Sequence, residues 1–336
     1  TVPHGSLMRF YEHMGYPGVD VLTEHNRCYW IVKQLASAAR QLDKKWLLSE
    51  LYGCTGWQFD FKSHKAVGDW QALFGINLRC QHLSWYTMEG ESKRDYPASI
   101  LHQSPWYKDY AAVEDHFARM GVVLSAGKPD CDVLVLNPVE SLWCQAYLGW
   151  ARWIMNASPD VGPYEQRYQQ LFHMLTDNHV DFDYGEEQIM RDKWSLATDE
   201  QGNALLKIGQ ATYRTVLVTN MLTIRPTTIE ILKAFSEAGG TVIFAGELPA
   251  YVDAVASEVP AALAQNCCRV GFDEQEILSA IRAGSQSFVD VRNAEGNAER
   301  AVFVQVRRDV DGEGSVAAVV LNTDRENGRS GLTLQL

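Results

Sequence analysis

Glu50 follows the apolar run Trp46 to Leu48 and opens a loop rich in glycine and aromatic residues, Leu51 to Trp57. A carboxylate at the last position of a buried parallel strand, followed by such a loop, stands where barrel enzymes keep catalytic acids and bases. On the two-residue period of a strand, Trp46 and Leu48 share its side. Apolar neighbours can tune such a carboxyl for nucleophilic or general-base work. A plainer role, capping a loop or pairing with an arginine, is also open to it.

The run Asn77 to Ser84 reads as a further strand with Cys80, His82 and Ser84 on one face. His82 at its end suits a hydrogen bond to a substrate hydroxyl or to a carboxylate. With Glu50 it would also supply two metal ligands, and a site needs at least a third. The loop Trp85 to Pro97 is long for a strand-to-helix connection, and long loops often shape specificity. It carries Tyr86 and Glu89, the second carboxylate to consider, ahead of Asp20 and Glu24 beyond the first strand. Trp57, Trp85 and Trp106 fall in predicted loops, where flat rings suit the C–H faces of sugars. Core packing explains Trp30, Trp46 and Trp70 as well as any ligand does.

These residues need a scaffold. Residues 17–125 alternate strand and helix three times, with strands at 19–22, 44–50 and 77–84 and helices at 28–42, 64–74 and near 106–124. Gly75 ends the second helix, as glycine does just past a C-terminus. Such alternation implies a parallel sheet. A second alternation, with strands at 132–138, 213–220 and 240–246 and helices at 164–179 and 227–239, reads as doubly wound and Rossmann-like. No G-x-G-x-x-G or P-loop accompanies it, and the turn at Asn220-Met221 offers no nucleophile, so this part reads as catalytically silent. After about residue 300, two alternating runs flank the turn DGEG, a hairpin signal.

A length of 336 residues suits two domains and part of a third, and 46% hydrophobic with 21% charged residues is an ordinary globular composition. The net charge of -12 argues against nucleic acid and against anionic membrane surfaces, and favours a neutral or small-molecule substrate. No run of 18 apolar residues spans a membrane. The start TVPHGSLMRF shows no signal peptide and no initiator Met, and the end SGLTLQL reads like a strand in mid-course, so an internal fragment is expected. Seven cysteines in no zinc or disulfide pattern read as reduced thiols, which leans toward the cytoplasm.

The segments SELYGCTGW (49–57) and HKAVGDWQALFGINLRCQHLSWYTMEGESKRDYPASILHQSPWY (64–107) resemble large bacterial glycoside hydrolases with (β/α)8 catalytic barrels. The resemblance is to family 106 α-L-rhamnosidases and, more loosely, to family 42 β-galactosidases. It is dense from about residue 15 to 145 and diffuse beyond. It implies an α/β chain holding the C-terminal half of a barrel (1–128). A class I glutamine amidotransferase-like Rossmann domain without nucleophile (129–272) follows, then a linker and the start of a β-sandwich (273–336). The strands at 19–22, 44–50 and 77–84 become barrel strands six, seven and eight. Glu50 is then the nucleophile of a retaining enzyme or the base of an inverting one, with the partner acid on strand four, before Thr1.

The resemblance also implies a carbohydrate substrate of plant type. His82, Trp57, Tyr86, Glu89 and Trp106 are the residues expected to bind it. A calcium requirement is raised without mapped ligands. A homo-oligomer is possible through the Rossmann-like part, and the piece by itself should be inactive. Two other readings remain: a carbohydrate-binding or assembly module, favoured if the full gene lacks a strand-four Glu, and an active amidotransferase, which a Cys-dependent glutaminase activity would revive.

Overall fold

A computed structural model describes residues 5–91, 96–145 and 161–336. The first unit comprises α1 (Leu7–Glu12), β1 (Gly18–Val21), α2 (Tyr29–Gln41), β2 (Leu48–Leu51), α3 (Phe61–Leu73), β3 (Leu78–Gln81) and α4 (Ala111–Leu124). Its strands form a parallel sheet in the order β1-β2-β3, with Asp20, Glu50 and Cys80 in one register row. The expected βα alternation is therefore present. One boundary differs: β3 stops at Gln81, which leaves His82 and Ser84 in the following loop.

The two faces of this sheet have different fates. Val19, Val21, Ser49 and Leu51 are buried, and Ser49 Oγ donates to Gln71 Oε1 of α3 at 2.5 Å. α2 presents Val32, Leu35, Ala38 and Ala39 to the core at helical spacing. The opposite face, bearing Gly18, Asp20, Leu48, Glu50, Leu78 and Cys80, carries no buried residue. Parallel sheets ordinarily bury both faces.

The second unit follows β4 (Lys128–Pro129). It holds β5 (Val133–Leu136), α5 (Val139–Trp143), α6 (Gly162–Thr176), β6 (Asp183–Gly185), α7 (Glu187–Lys193), β7 (Trp194–Thr198), β8 (Ala204–Ile208), β9 (Ala211–Tyr213) and β10 (Thr215–Thr219). It continues through β11 (Thr223–Ile224), α8 (Pro226–Glu237), β12 (Thr241–Ala245), β13 (Tyr251–Val252), β14 (Val255–Ala256), α9 (Val259–Ala264), β15 (Cys268–Val270) and α10 (Glu274–Gly284). Five strands make a parallel sheet in the order β15-β12-β10-β5-β6. Numbered along the chain, that is the doubly wound order 2-1-3-4-5. α10 packs on β12 and β15 and so belongs with this sheet. The antiparallel sheet β7-β8-β9 was not anticipated from the sequence.

The tail consists of β16 (Asp290–Arg292), β17 (Val302–Arg308), β18 (Val316–Asn322) and β19 (Thr333–Gln335). β17 and β18 form the hairpin expected around DGEG, β4 joins it at the edge, and β16 pairs with β19.

One core joins all three parts. Tyr29 of α2 meets Trp70 of α3 edge-on at 4.8 Å, stacks on Phe172 of α6 at 5.9 Å, and meets Phe303 of β17 at 5.3 Å. Each such ring pair contributes about 0.5–1.5 kcal/mol beyond its buried area. Ion pairs bind the first unit to the second: Arg40 to Asp183 at 2.7 Å, and Arg9 to Glu140 and Glu186; within the second unit Arg225 also holds Glu140 at 2.6 Å. Gly209, at φ 57°, lies so close to α2 that a Cβ would sit 2.0 Å from Gln41 O. The second unit is therefore pressed against the back of the first.

Candidate active site

Glu50 is the third residue of β2, with Leu51 ending the strand, and its half-exposed side chain lies on the uncovered face. His82 follows β3 directly. Its amide donates to Leu51 O at 2.8 Å, and its Nε2 stands 3.9 Å from Glu50 Oε1. Asp20 lies opposite Glu50 across β1–β2. Burial first, and then the Glu50 charge, hold the Asp20 carboxyl above its usual range, while His82 works in the opposite direction. Two carboxyl groups and an imidazole thus converge at the C-terminal end of the sheet.

The backbone here is under strain that the surroundings must support. Thr23, Tyr52 and Cys54 take φ of 69°, 76° and 61°, the left-handed region that side chains other than glycine avoid. Each such residue costs on the order of 1–3 kcal/mol. Cross-links between loops hold them: Thr23 N to Gly53 O at 2.8 Å, and Thr55 N and Gly56 N to Pro97 O at 3.0 and 2.8 Å. Gly53 has no room for a side chain, since a Cβ would meet Leu22 Cδ2 at 2.7 Å and His82 Cγ at 3.0 Å. Behind the site Arg79 pairs with Glu114, reaches the Tyr52 hydroxyl at 3.4 Å, and lies 4.0 Å over the Phe117 ring.

The aromatic candidates divide. Trp57 is 40% exposed and leans on buried Trp85 at 5.2 Å. Tyr86 is 97% exposed, and Glu89 is exposed on the same loop. Trp106 is packed against Phe61, His64 and Tyr110 at 5.3–5.7 Å, in the ring cluster between α3 and α4. Those contacts give its half-buried ring a packing role. Tyr96, 58% exposed and 6.1 Å from the His82 ring, was not singled out by the sequence. Only the fold brings this ring to His82. Among the described residues, no three His, Cys, Asp or Glu side chains gather as a metal-holding group.

No protein-family model and no curated protein matches the sequence. Solved structures do. A rhamnosidase from Novosphingobium sp. PP1Y superposes with a TM-score of 0.64 at 18% identity, covering 94% of this chain and 30% of that one. A GH42 β-galactosidase from G. stearothermophilus gives 0.51 at 14% identity, over 74% of this chain and 35% of its own. A β-galactosidase from Rahnella sp. R3 gives 0.51 at 13% identity, over 98% and 45%. The chain therefore spans between 30% and 45% of the length of these enzymes. It carries the fold of the corresponding part of these glycoside hydrolases, a rhamnosidase and family 42 β-galactosidases among them, as the sequence resemblance implies.

Proposed function

We propose that this chain is the C-terminal part of a glycoside hydrolase barrel and that Glu50 is its nucleophile or general base. One observation carries the reading. Glu50 sits near the C-terminal end of the central parallel strand, on the uncovered face, with His82 at 3.9 Å and Asp20 in register beside it. In a closed barrel that face is the interior and that end is the catalytic mouth. The bare face is accounted for by the remaining barrel strands.

Glycoside hydrolysis needs two carboxyl groups. One protonates the departing oxygen, and the other attacks the anomeric carbon or activates water. Glu50 takes the second part, and the acid belongs to a strand outside this chain. His82 orients the Glu50 carboxylate or holds a sugar hydroxyl. Trp57 and Tyr86 present ring faces to the sugar. The fuller match to a rhamnosidase favours an α-L-rhamnoside, with a β-galactoside as the second reading. Calcium belongs to the rhamnosidase reading and is tested by chelation. The second unit is read as amidotransferase-like: Asn220, at φ 57°, directly follows β10, an elbow whose carboxamide cannot act as nucleophile.

The test uses the protein carrying the whole barrel, with wild type and Glu50→Gln assayed on aryl α-L-rhamnoside and aryl β-D-galactoside. The expected result is a loss of turnover of roughly a thousandfold with unchanged thermal stability. The aryl glycoside cleaved names the sugar. Full turnover by Glu50→Gln would move catalysis to another carboxylate, and no turnover by wild type would favour a binding module.

A further inference from the structure

His179 follows the C-terminus of α6 and lies buried where the second unit meets the tail. Its ring bonds two backbone groups of a single turn. The Val291 amide donates to Nδ1 at 3.3 Å, and Nε2 stands 3.1 Å from the Glu299 carbonyl oxygen. Those two residues also bond each other, Glu299 N to Val291 O at 2.8 Å. The imidazole thus closes the base of the turn bridged by Arg292 and Ala298, and through β16 it holds β19 as well.

These partners fix the protonation of the ring. An amide N–H can only donate, so Nδ1 must keep a free lone pair. A carbonyl oxygen can only accept, so Nε2 must carry the hydrogen. Only the neutral tautomer with its hydrogen on Nε2 meets both conditions. A proton on Nδ1 sets two N–H groups against each other and leaves the amide of buried Val291 without an acceptor. Burial holds the ring below its usual range, while the bond to the Glu299 carbonyl and the charges of Asp290, Asp177 and Glu299 act against that. Each of these carboxylates is partnered. Asp290 meets Arg292 at 2.6 Å, Glu299 meets Arg329 at 3.3 Å, and Asp177 stands 3.6 Å from His173.

Among the described residues, the other polar link from this turn to the second unit is the pair Arg300–Glu274, whose arginine is exposed. Such surface pairs hold weakly. β17, by contrast, is fixed by Phe303 against Tyr29 at 5.3 Å and by its pairing with β4. The β16–β19 sheet can therefore open locally while the rest of the fold stays closed. We infer that His179 is an acid-operated latch: its neutral ring holds the β16–β19 sheet to the second unit, and protonation of the ring lets that sheet go. The joint is at full strength above the ordinary histidine range and is lost as pH falls through the lowered value of the buried ring.

Amide hydrogen exchange, corrected for the intrinsic effect of pH, tests this on the chain as it stands. The amides of Val291 and Glu299 should lose at least about tenfold in protection between about pH 7 and about pH 4.5, while those of β10 keep theirs. His179→Asn retains an acceptor near the Nδ1 position, suits the left-handed φ of 61° there, and does not titrate. In that variant the protection should be the same at both pH values. Ring NMR of the wild type gives an independent reading, because protection must fall with the same midpoint at which His179 takes up its proton. Protection that survives in acid, or that falls while the ring is still neutral, would overturn the latch. So would an equal fall in His179→Asn, which would make Asp177, Asp290 or Glu299 the titrating group.

Discussion

Asp20 and Glu50 face each other across neighbouring parallel strands, in register and on the same uncovered side. Strands at this spacing lie about 4.8 Å apart, so two ionised carboxylates there repel. Burial and the Glu50 charge raise Asp20. A carboxyl raised on folding favours the protonated folded state. Stability is therefore lost as pH rises from the ordinary aspartate range through the raised value. Asp20→Asn removes that loss. Its thermal midpoint should rise near pH 7 and stay unchanged near pH 3, read by scanning calorimetry.

Gly53 holds the His82 ring in place by having no side chain. Gly53→Ala forces Leu22 or His82 to shift, since the added carbon would lie 2.7 and 3.0 Å from them. Overpacking of this kind costs about 1–3 kcal/mol. Chemical denaturation should show that loss, and turnover in the complete barrel should fall further than a folding defect alone explains. Unchanged turnover would mean that the position of His82 does not matter to the reaction.

Within the second unit, Glu187 is buried and accepts the Arg225 amide at 2.8 Å, and burial and then the Glu140 charge push its carboxyl up to about 8. Folding thus favours its protonated form. Stability should fall as pH climbs from the ordinary glutamate range to about 8 and level off above it. Glu187→Gln keeps the acceptor for Arg225 and does not titrate. The variant should match wild type near pH 5 and melt several degrees higher near pH 9. Parallel melting curves at both pH values would show that the carboxyl is not the titrating group.

Tyr29 carries ring contacts into α3, α6 and β17 at once. Tyr29→Ala should cost about 3–5 kcal/mol, as large-to-small changes in a packed core do. Calorimetry of the wild-type chain should give one transition, because the three parts share the core. Two well-separated transitions in wild type would contradict that sharing.

Much of this was legible in the sequence because it is local. The βα alternation, the turn at Gly75 and the DGEG hairpin follow from periods of two and 3.6 residues and from glycine. Glu50 was found from its place in a strand pattern, and His82 could be set beside it because adjacent strands share a register. What stayed hidden depends on long-range contacts. The β7–β9 sheet lies where SLAT and ALLKI give short, weakly alternating runs. Trp106 reads as a loop aromatic until α3 brings Phe61 and His64 to it.

The wedge of rings around Tyr29 also bears on how such genes can be cut and recombined. A crossover that exchanges the doubly wound unit for a relative's would bring a foreign Phe172 position against a resident Tyr29 and Phe303. A truncation before residue 302 would leave the first two parts folded around a missing tooth. Exchange between relatives should therefore succeed only where all three walls of the wedge travel together, so that segments far apart in sequence are inherited as one block.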